Sequence, residues 1–368
     1  MSTVKTHAAV LYAPHTPLRV EEVDLGPVKD EDVLVRIVAS GVCHSDLHVY
    51  HGQPGRQFPV VLGHEGAGIV EQVGGAVTTV RPGDHVVLNL APFCGRCYDC
   101  ATGKTYRCTV RKGQNGLLYD GATRLSRDGQ RIYHFTNVAA FARHAIVHHS
   151  SAVPIAKDIP FEVACLVGCC VCTGVGAALN TAQVRPGSTV VVIGCGGVGL
   201  NVIQGARLAG AKRIIAVDVL DEKLARARRF GATDAIDASK EKTVARVMEL
   251  TAGRGAGYAF EAIGKPQTMM DAYTATGRGG KAVVVGISPD ATARLSINPA
   301  SLLAERSLTG TQTGSTNATR DFPLYLDLYR SGRLMIDELI TARVPLEQVN
   351  EAFAALEQGR AVRTVLMM

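Results

Sequence analysis

Residues 189 to 199 read Thr189-Val-Val-Val-Ile-Gly194-Cys-Gly196-Gly-Val-Gly199. The apolar run predicts a buried strand, and the glycine-rich turn after it opens a helix-like stretch that continues through Ala209. A second apolar run, residues 213–218, ends on Asp218, nineteen residues after Gly199. This combination is the dinucleotide-binding fingerprint of a doubly wound α/β fold.

The glycine-rich turn predicts how the coenzyme is held. Gly194 makes the turn, Gly196 lets the backbone approach the pyrophosphate, and Gly199 allows the helix to pack closely on the sheet. Gly197 and Val198 complete this loop. Asp218 would accept hydrogen bonds from the adenosine ribose hydroxyls and repel a 2′-phosphate. The sequence therefore predicts NAD rather than NADP.

Strand-like and helix-like segments alternate after about residue 170. A charged helix is predicted over residues 221–230, and further buried strands over residues 257–261 and 281–286. Continuous apolar strands that alternate with helices predict a parallel sheet with helices on both faces. We assign residues 171–312 to this Rossmann-type coenzyme domain.

The remaining chain, residues 1–170 and 313–368, is predicted to form a second, β-rich and partly barrel-like domain. Its first 150 or so residues contain short strand-like runs broken by Gly, Pro and Asp, such as residues 33–38 and 68–73. Residues 113–135, rich in Gly, Asp and Arg, are interpreted as an excursion near the site. The chain ends on a strand-like run, residues 362–366, which we expect to pack back onto the first domain.

Composition and charge disfavour several classes of function. The chain has 368 residues and a formal net charge of +6, and its densest basic run, residues 226–229, lies in a predicted helix and is interpreted as a solvated face. No apolar run approaches the roughly 18 residues of a membrane span, and the N-terminus has no secretion pattern. We therefore expect a cytoplasmic protein without a nucleic-acid or membrane partner. Ten cysteines in such a chain indicate metal or redox chemistry before disulfides.

Four of these cysteines lie in one short loop with the spacing C-x₂-C-x₂-C-x₇-C, namely Cys94, Cys97, Cys100 and Cys108. This spacing lets four sulfurs converge on one tetrahedral ion without help from the rest of the chain. A disulfide pair and a redox dithiol are the alternatives. In a reduced compartment the pattern favours a closed, structural zinc site.

A second constellation predicts an open metal site, which needs three protein ligands and a free position. Cys43 and His64 supply two ligands, and Asp46 and Glu65 stand beside them in the sequence as groups that would orient the imidazole or adjust the ligand field. The third ligand should come from residues 165–172, where four cysteines, at positions 165, 169, 170 and 172, are candidates. Spacing alone does not choose among them.

These motifs resemble those of the zinc-dependent alcohol dehydrogenases of the medium-chain dehydrogenase/reductase superfamily, and the resemblance covers nearly the whole chain. Gly63-His64-Glu65-Gly66-Ala-Gly68 resembles the zinc signature of that family, and Leu166-Val-Gly-Cys169 followed by Thr173-Gly174 resembles its third-ligand segment. The resemblance implies a GroES-like catalytic domain interrupted by a Rossmann coenzyme domain. It also implies Cys169 as the third ligand, with Cys170 as the main rival.

The resemblance further implies roles for individual residues. Ser45 would accept the alcohol proton and pass it through the nicotinamide ribose to His48 and then to water. His44 falls where many relatives carry an arginine for the coenzyme pyrophosphate. The remaining coenzyme contacts implied in this way are Thr173, Lys223 and Arg363. Leu90, Gln312 and Thr313 depart from the pocket residues of the best-known relatives and leave the substrate open.

The sequence therefore predicts reversible oxidation of an alcohol with NAD, two zinc ions per subunit and a homodimer or homotetramer. The first alternative is a thiol-dependent formaldehyde dehydrogenase of the mycothiol or glutathione type, although Lys112 stands where the glutathione class usually has an arginine. A nicotinoprotein with tightly bound NAD is another. A non-catalytic zinc-stabilised binding protein is a third, and alcohol-dependent NADH formation would distinguish it.

Overall fold

The structure is a computed structural model that describes residues 4–110 and 116–368. The chain divides into two compact units. The first unit runs to Cys169 and takes up Asn317–Gly332 and Ile336–Met368. The second comprises Cys170–Thr316 and Arg333–Met335.

Strands dominate the first half of the chain, and strands alternate with helices in the second half. The strands are β1 (Val4–Leu11), β2 (Arg19–Leu25), β3 (Asp32–Val42), β4 (Val60–Val61), β5 (Glu65–Val73), β6 (His85–Leu88), β7 (Leu125–Arg127), β8 (Gln130–His134), β9 (His144–His148), β10 (Ala152–Ile155), β11 (Thr189–Ile193), β12 (Arg213–Asp218), β13 (Asp234–Asp237), β14 (Ala256–Glu261), β15 (Thr276–Val284), β16 (Ser307–Gly310), β17 (Ile340–Pro345) and β18 (Arg363–Met367). The α-helices are α1 (His44–Tyr50), α2 (Tyr98–Ala101), α3 (Phe161–Leu166), α4 (Cys172–Gly176), α5 (Gly197–Leu208), α6 (Asp221–Phe230), α7 (Thr243–Leu250), α8 (Pro266–Ala275), α9 (Ala318–Arg330) and α10 (Val349–Glu357).

The first unit is built of two β-sheets. Strands β1, β2, β7, β8 and β4 close into a small barrel, and strands β10, β6, β5, β3, β18 and β17 form the second sheet, in which β9 also pairs with β3. An apolar core that includes Leu11, Leu25 and Phe141 joins the barrel to Phe353 of α10. The last strand of the chain, β18, pairs antiparallel with β3, so the tail packs onto the first unit.

Residues 125–134 form a hairpin of the closed barrel, in which β7 pairs with β8 and β2 pairs with β7. The interpretation of residues 113–135 as an excursion was therefore wrong for this part of the segment. Strands this short show little periodicity, and their polar and glycine-rich composition hides them in the sequence. Residues 113–115 of that segment lie outside the described residues.

The second unit is a parallel sheet with the strand order β13-β12-β11-β14-β15-β16. This is the order of a doubly wound dinucleotide-binding domain, in which the ligand crevice lies at the carboxyl ends of the central strands. Strand β11 is buried along its apolar run because helices cover a parallel sheet on both faces. Gly194 follows it with a φ of 95°, a left-handed conformation that favours glycine.

Among the described residues, the helical segment Phe161–Ala182 is long and apolar enough to cross a membrane, with a mean hydropathy of 1.9. The expectation that no apolar run approaches such a length was therefore wrong. However, 78% of that window is buried inside the protein, as in a core helix. The segment is not a regular α-helix, because Val167–Val171 and Ala177–Ala182 form π-helical turns.

Candidate active site and metal centres

The loop of residues 94–108 brings its four cysteine sulfurs together within 4.8 Å of one another. The Sγ atoms of Cys94 and Cys100 are 4.0 Å apart, as are those of Cys97 and Cys108. A disulfide requires about 2.05 Å, whereas four thiolates on one zinc lie about 3.8 Å apart. The geometry fits a closed tetrahedral site.

Backbone amides and burial set the protonation of this loop. The backbone N–H groups of Arg96 and Cys97 outweigh burial and lower the pKa of the Cys94 thiol to about 6. Burial raises the pKa of the Cys100 thiol to about 12. A bound cation would compensate four converging thiolates, which repel one another without it.

The second group of ligand atoms lies where the ends of three neighbouring strands meet. Cys43 directly follows β3, His64 directly precedes β5, and Arg363 begins β18. Because β3 pairs antiparallel with β5 and with β18, these three ends meet at one edge of the sheet. The ligand atoms of Cys43, His64, Glu65 and Cys169 all lie within 4.8 Å of one another.

Asp46 fixes the orientation of the His64 ring. Its Oδ1 accepts a hydrogen bond from the backbone N–H of Gly63 at 3.0 Å and lies 3.1 Å from His64 Nδ1, while its Oδ2 accepts from the backbone N–H of Cys43 at 3.1 Å. A carboxylate facing Nδ1 places the ring proton there and leaves the lone pair on Nε2. That Nε2 atom is buried and has no hydrogen-bond partner among the described residues, as expected of an atom that binds a metal.

Neighbouring charges and hydrogen bonds favour the charged forms of Cys43 and His64. The contact with Cys169 outweighs burial and, together with the charges of Arg363 and His64, lowers the pKa of the Cys43 thiol well below its ordinary value. Burial lowers the pKa of His64, but the Asp46 carboxylate and Cys43 outweigh it and raise that pKa well above its ordinary value. Both shifts favour a positive charge between the Cys43 sulfur and Nε2 of His64, either as a proton on Nε2 or as a metal ion that replaces this proton and binds the Nε2 lone pair.

Glu65 lies in the same pocket with a fully buried carboxyl group. Burial raises the pKa of Glu65 to about 8, against the lowering effect of the nearby Arg363 guanidinium, which is itself 2% exposed. Neither carboxyl oxygen of Glu65 has a hydrogen-bond partner in the described part of the chain. A side chain at Gly41 would collide with this carboxyl group, so glycine there makes room for it.

The structure separates the four cysteines of residues 165–172. The π-helical turn Val167–Val171 brings Cys169 to the ligand group, whereas Cys170 lies fully buried with its sulfur 3.9 Å from Asn201 Nδ2. Cys165 donates to the carbonyl of Glu162. Cys172 is also buried.

The residues of the predicted proton path lie on helix α1, which begins directly after Cys43. Ser45 is half-buried on α1, with its Oγ 4.0 Å from Cys43 Sγ. His48, one turn further along α1, is half-buried, and burial lowers its pKa. His44 is exposed at the start of the same helix.

In the second unit, the predicted coenzyme residues surround the carboxyl ends of β11 and β12. Asp218 Oδ2 accepts from the backbone N–H of Cys195 at 2.8 Å, and its Oδ1 accepts from that of Val219 at 2.8 Å. A side chain on Gly199 would collide with the carbonyl of Gly194, so the third glycine permits the close helix–strand contact. Within this unit, Gly196 is the N-cap of α5, Gly197 and Val198 lie in its first turn, Lys223 is half-buried on α6, and Thr173 is half-buried on α4.

A cavity of about 720 Å³ opens beside Asp218. Ile193, Val217, Ile263 and Lys242 are among the residues that line it. Largely apolar walls beside the Asp218 carboxylate suit an adenosine group.

A third group of possible ligands, Glu31, His148 and His149, does not support a metal site. Nδ1 of His148 accepts a hydrogen bond from the backbone N–H of Ser150 at 3.2 Å. Burial lowers the pKa of His148 to about 4, so the ring is neutral and carries its proton on Nε2. Binding of a cation at Nε2 would require the proton to move to Nδ1 and the hydrogen bond from the Ser150 N–H to break.

Together, a dinucleotide-binding sheet and a buried group of two thiols and an imidazole define a metal-dependent oxidoreductase. The sequence matches the model of the alcohol dehydrogenase GroES-like domain over residues 29–157 and that of the zinc-binding dehydrogenases over residues 197–331. It is 40% identical to the class-3 alcohol dehydrogenase of Myxine glutinosa, over 98% of this chain and 97% of that protein. It is 39% identical to the S-(hydroxymethyl)glutathione dehydrogenase of Paracoccus denitrificans, over 99% of this chain and 100% of that protein.

Among solved structures, the benzyl alcohol dehydrogenase of Acinetobacter calcoaceticus superposes with a TM-score of 0.94 at 31% identity and covers 99% of both chains. The chain belongs to the zinc-dependent alcohol dehydrogenases of the medium-chain dehydrogenase/reductase superfamily. The predicted family, fold class and enzyme class are thereby confirmed, as is the use of zinc and NAD.

Proposed function

We propose that this enzyme reversibly oxidises an alcohol group to an aldehyde or ketone with NAD as hydride acceptor. In this proposal Cys43, His64 and Cys169 hold a catalytic zinc, and the four cysteines of residues 94–108 hold a structural one. The observation that carries it is the buried His64 Nε2, which has no partner among the described residues and lies beside two thiols. Zinc held there would supply Lewis-acid polarisation of the substrate oxygen.

The residues around the site hold and move the proton. Asp46 keeps the Nδ1 proton on His64, so that Nε2 stays available as a ligand. Ser45 accepts the alcohol proton at its Oγ and donates its own proton onward. His48, neutral at pH 7 because burial lowers its pKa, receives that proton and releases it to water.

The second unit binds the coenzyme in this proposal. Backbone N–H groups of Cys195 and Val219 hold the Asp218 carboxylate at the rim of the 720 Å³ cavity. A carboxylate at that rim accepts from both ribose hydroxyls and repels a 2′-phosphate, which supports a preference for NAD over NADP. Lys223, Thr173, His44 and Arg363 are proposed as further coenzyme contacts.

A second candidate is oxidation of the adduct between a thiol and formaldehyde. It is supported by the names of the two relatives at 40% and 39% identity, one of which is an S-(hydroxymethyl)glutathione dehydrogenase. The adduct is itself a primary alcohol, so the same metal group and proton path serve both reactions. Lys112, the residue expected to bear on this choice, lies outside the described residues.

NADH formation would be followed with primary and secondary alcohols and with formaldehyde in the presence and absence of glutathione. The variant Cys43→Ala should lose turnover on every substrate while it still binds NADH, as measured by coenzyme fluorescence. Retained turnover in this variant would remove the metal mechanism. A rate that depends on both glutathione and formaldehyde would select the second candidate.

The proposal includes a homo-oligomer formed through the edge of the second sheet. Strand β16 ends that sheet, and Leu303, just before it, is 86% exposed. Exposed strand edges with large apolar neighbours favour pairing with a second copy. Sedimentation of the wild type and of Leu303→Glu would test this arrangement.

A further inference from the structure

Arg56 is a half-buried cation without an ionic partner in the described part of the chain. Its Nε and Nη2 donate to Oε1 of Gln53 at 3.2 and 3.1 Å. No carboxylate of residues 4–110 or 116–368 lies within ion-pair distance of this guanidinium, and burial lowers its pKa. Arg124 shows how a buried arginine is usually paired with carboxylates. It is 5% exposed and forms ion pairs with Asp32 at 2.8 Å and Asp120 at 3.0 Å.

A single aromatic ring separates Arg56 from the metal-ligand group. The Cζ atom of Arg56 lies over the Phe135 ring, 5.2 Å from its centroid. The Phe135 ring in turn packs edge-to-face on His64, with centroids 5.3 Å apart at 86°. The stacking fixes the guanidinium plane and leaves its edge available for hydrogen bonds.

The turn that carries Phe135 contains further polar atoms without partners. Oγ1 of Thr136 and Oδ1 of Asn137 are both buried and have no hydrogen-bond partner among the residues that the structure describes. The Asn137 residue is only 9% exposed. Buried polar atoms without partners are rare in proteins and mark positions that a ligand or water completes.

We propose that Arg56 is a specificity-determining residue that binds a carboxylate on the substrate. A planar guanidinium matches a carboxylate with two parallel hydrogen bonds, and a half-buried one gains the charge partner that the described chain does not provide. Because Arg56 and His64 both contact the Phe135 ring, one molecule can present its alcohol group to the metal ligands and its carboxylate to Arg56. The substrate class is therefore an alcohol that carries a carboxylate.

This inference rests on the proposed function and narrows its substrate. Two sources share the required chemistry, namely a free hydroxy acid and the adduct of formaldehyde with glutathione, whose thiol carrier bears carboxylates. Matched pairs of substrates distinguish them. One pair is ω-hydroxyhexanoate and hexanol, and the other is formaldehyde mixed with glutathione or with ethanethiol, a thiol that has neither a carboxylate nor a hydroxyl group.

Initial rates with NAD would be measured for both pairs on the wild type, Arg56→Gln and Arg56→Lys. The matched control is Arg19→Gln, because Arg19 also stacks on an aromatic ring, 5.3 Å from the Tyr12 centroid. We expect the wild type to favour the carboxylated member of one pair. In Arg56→Gln the ratio of kcat/KM values within that pair should fall about 10- to 100-fold, the usual size of a lost charged hydrogen bond. The ratio for Arg56→Lys should lie between those of the wild type and Arg56→Gln. The control Arg19→Gln should keep the wild-type ratio.

The pair with the larger wild-type ratio identifies the source of the carboxylate. A wild-type ratio near one in both pairs, or an unchanged ratio in Arg56→Gln, overturns the inference while the proposed function stands. If no substrate yields NADH, the proposed function fails instead. Calorimetric titration with hexanoate then decides the inference. If the wild type binds hexanoate and Arg56→Gln does not, the inference is supported. If both bind hexanoate equally, or neither binds it, the inference is overturned.

Discussion

Oδ1 of Asp46 lies 3.1 Å from Nδ1 of His64, and both side chains are almost completely buried. The same carboxylate also accepts from the backbone N–H groups of Gly63 and Cys43. Asp46 therefore connects the two segments that supply the first two proposed ligands. The contact fixes both the tautomer of the imidazole and the distance between its backbone and that of Cys43.

The first prediction concerns this contact. Asp46→Asn keeps the shape of the side chain but removes the charge that holds the Nδ1 proton, so we expect the catalytic zinc to bind about 10- to 100-fold more weakly. Zinc per chain after dialysis against a chelator should fall towards one in the variant, because the four-cysteine loop is untouched. Asp84→Asn, in a turn of the same unit, is the control. Equal zinc retention in Asp46→Asn and the wild type would contradict the prediction.

The second prediction concerns Gly168, which precedes the proposed ligand Cys169. A methyl group at this position would lie 2.8 Å from the carbonyl oxygen of Leu88, and a backbone atom cannot easily move away. Gly168→Ala should therefore displace the π-helical turn and the Cys169 sulfur with it. Zinc sites tolerate shifts of only about 0.2 Å in ligand distance.

We expect Gly168→Ala to reduce kcat by about 10- to 100-fold, as misplaced catalytic groups do. Cobalt substituted for zinc would report the changed geometry in its visible absorption, independently of turnover. Gly75→Ala is the matched control, because its nearest neighbour, Asp30 Oδ1, would be 3.8 Å away. A cobalt spectrum identical to that of the wild type would refute the displacement.

The third prediction concerns coenzyme choice. Asp218→Ala removes the carboxylate that the backbone N–H groups of Cys195 and Val219 hold at the cavity rim. The KM for NAD should rise about tenfold through the loss of charged hydrogen bonds to the ribose, and the preference for NAD over NADP should shrink further. Asp237→Ala, at the end of the neighbouring strand β13, should leave both values near those of the wild type. Steady-state kinetics with the two coenzymes would show whether the preference moves.

Local patterns in the sequence predicted the parts of this molecule that depend on local geometry. The parallel sheet of the second unit follows from apolar runs that helices bury on both faces, and the glycine-rich turn follows directly after one such run. The four cysteines of residues 94–108 converge because only one short loop has to fold. In each case the spacing of residues along the sequence is enough to predict the local geometry.

Features that depend on distant segments were not predictable in this way. The spacing of residues 165–172 left four cysteines open, because a π-helical turn changes which side chains share a face. The short strands β7 and β8 lacked periodicity. Arg56 carried no sequence signal, since its significance comes from contact with Phe135, 79 positions further along the chain.

The last prediction concerns the pH dependence of alcohol oxidation. His48 must be neutral to accept the proton from Ser45, so the rate should fall as the pH drops through the pKa of His48. Burial and the nearby charge of His51 lower that pKa below 6.5, whereas the Cys43 thiolate opposes them. The acidic limb of the kcat profile should therefore lie below pH 6.5.

His48→Gln should remove this limb and lower kcat at neutral pH by about 100-fold, the lower end of general-base contributions. His7→Gln, an exposed histidine of β1, should keep the limb. An acidic limb that persists unchanged in His48→Gln would assign the titration to another group.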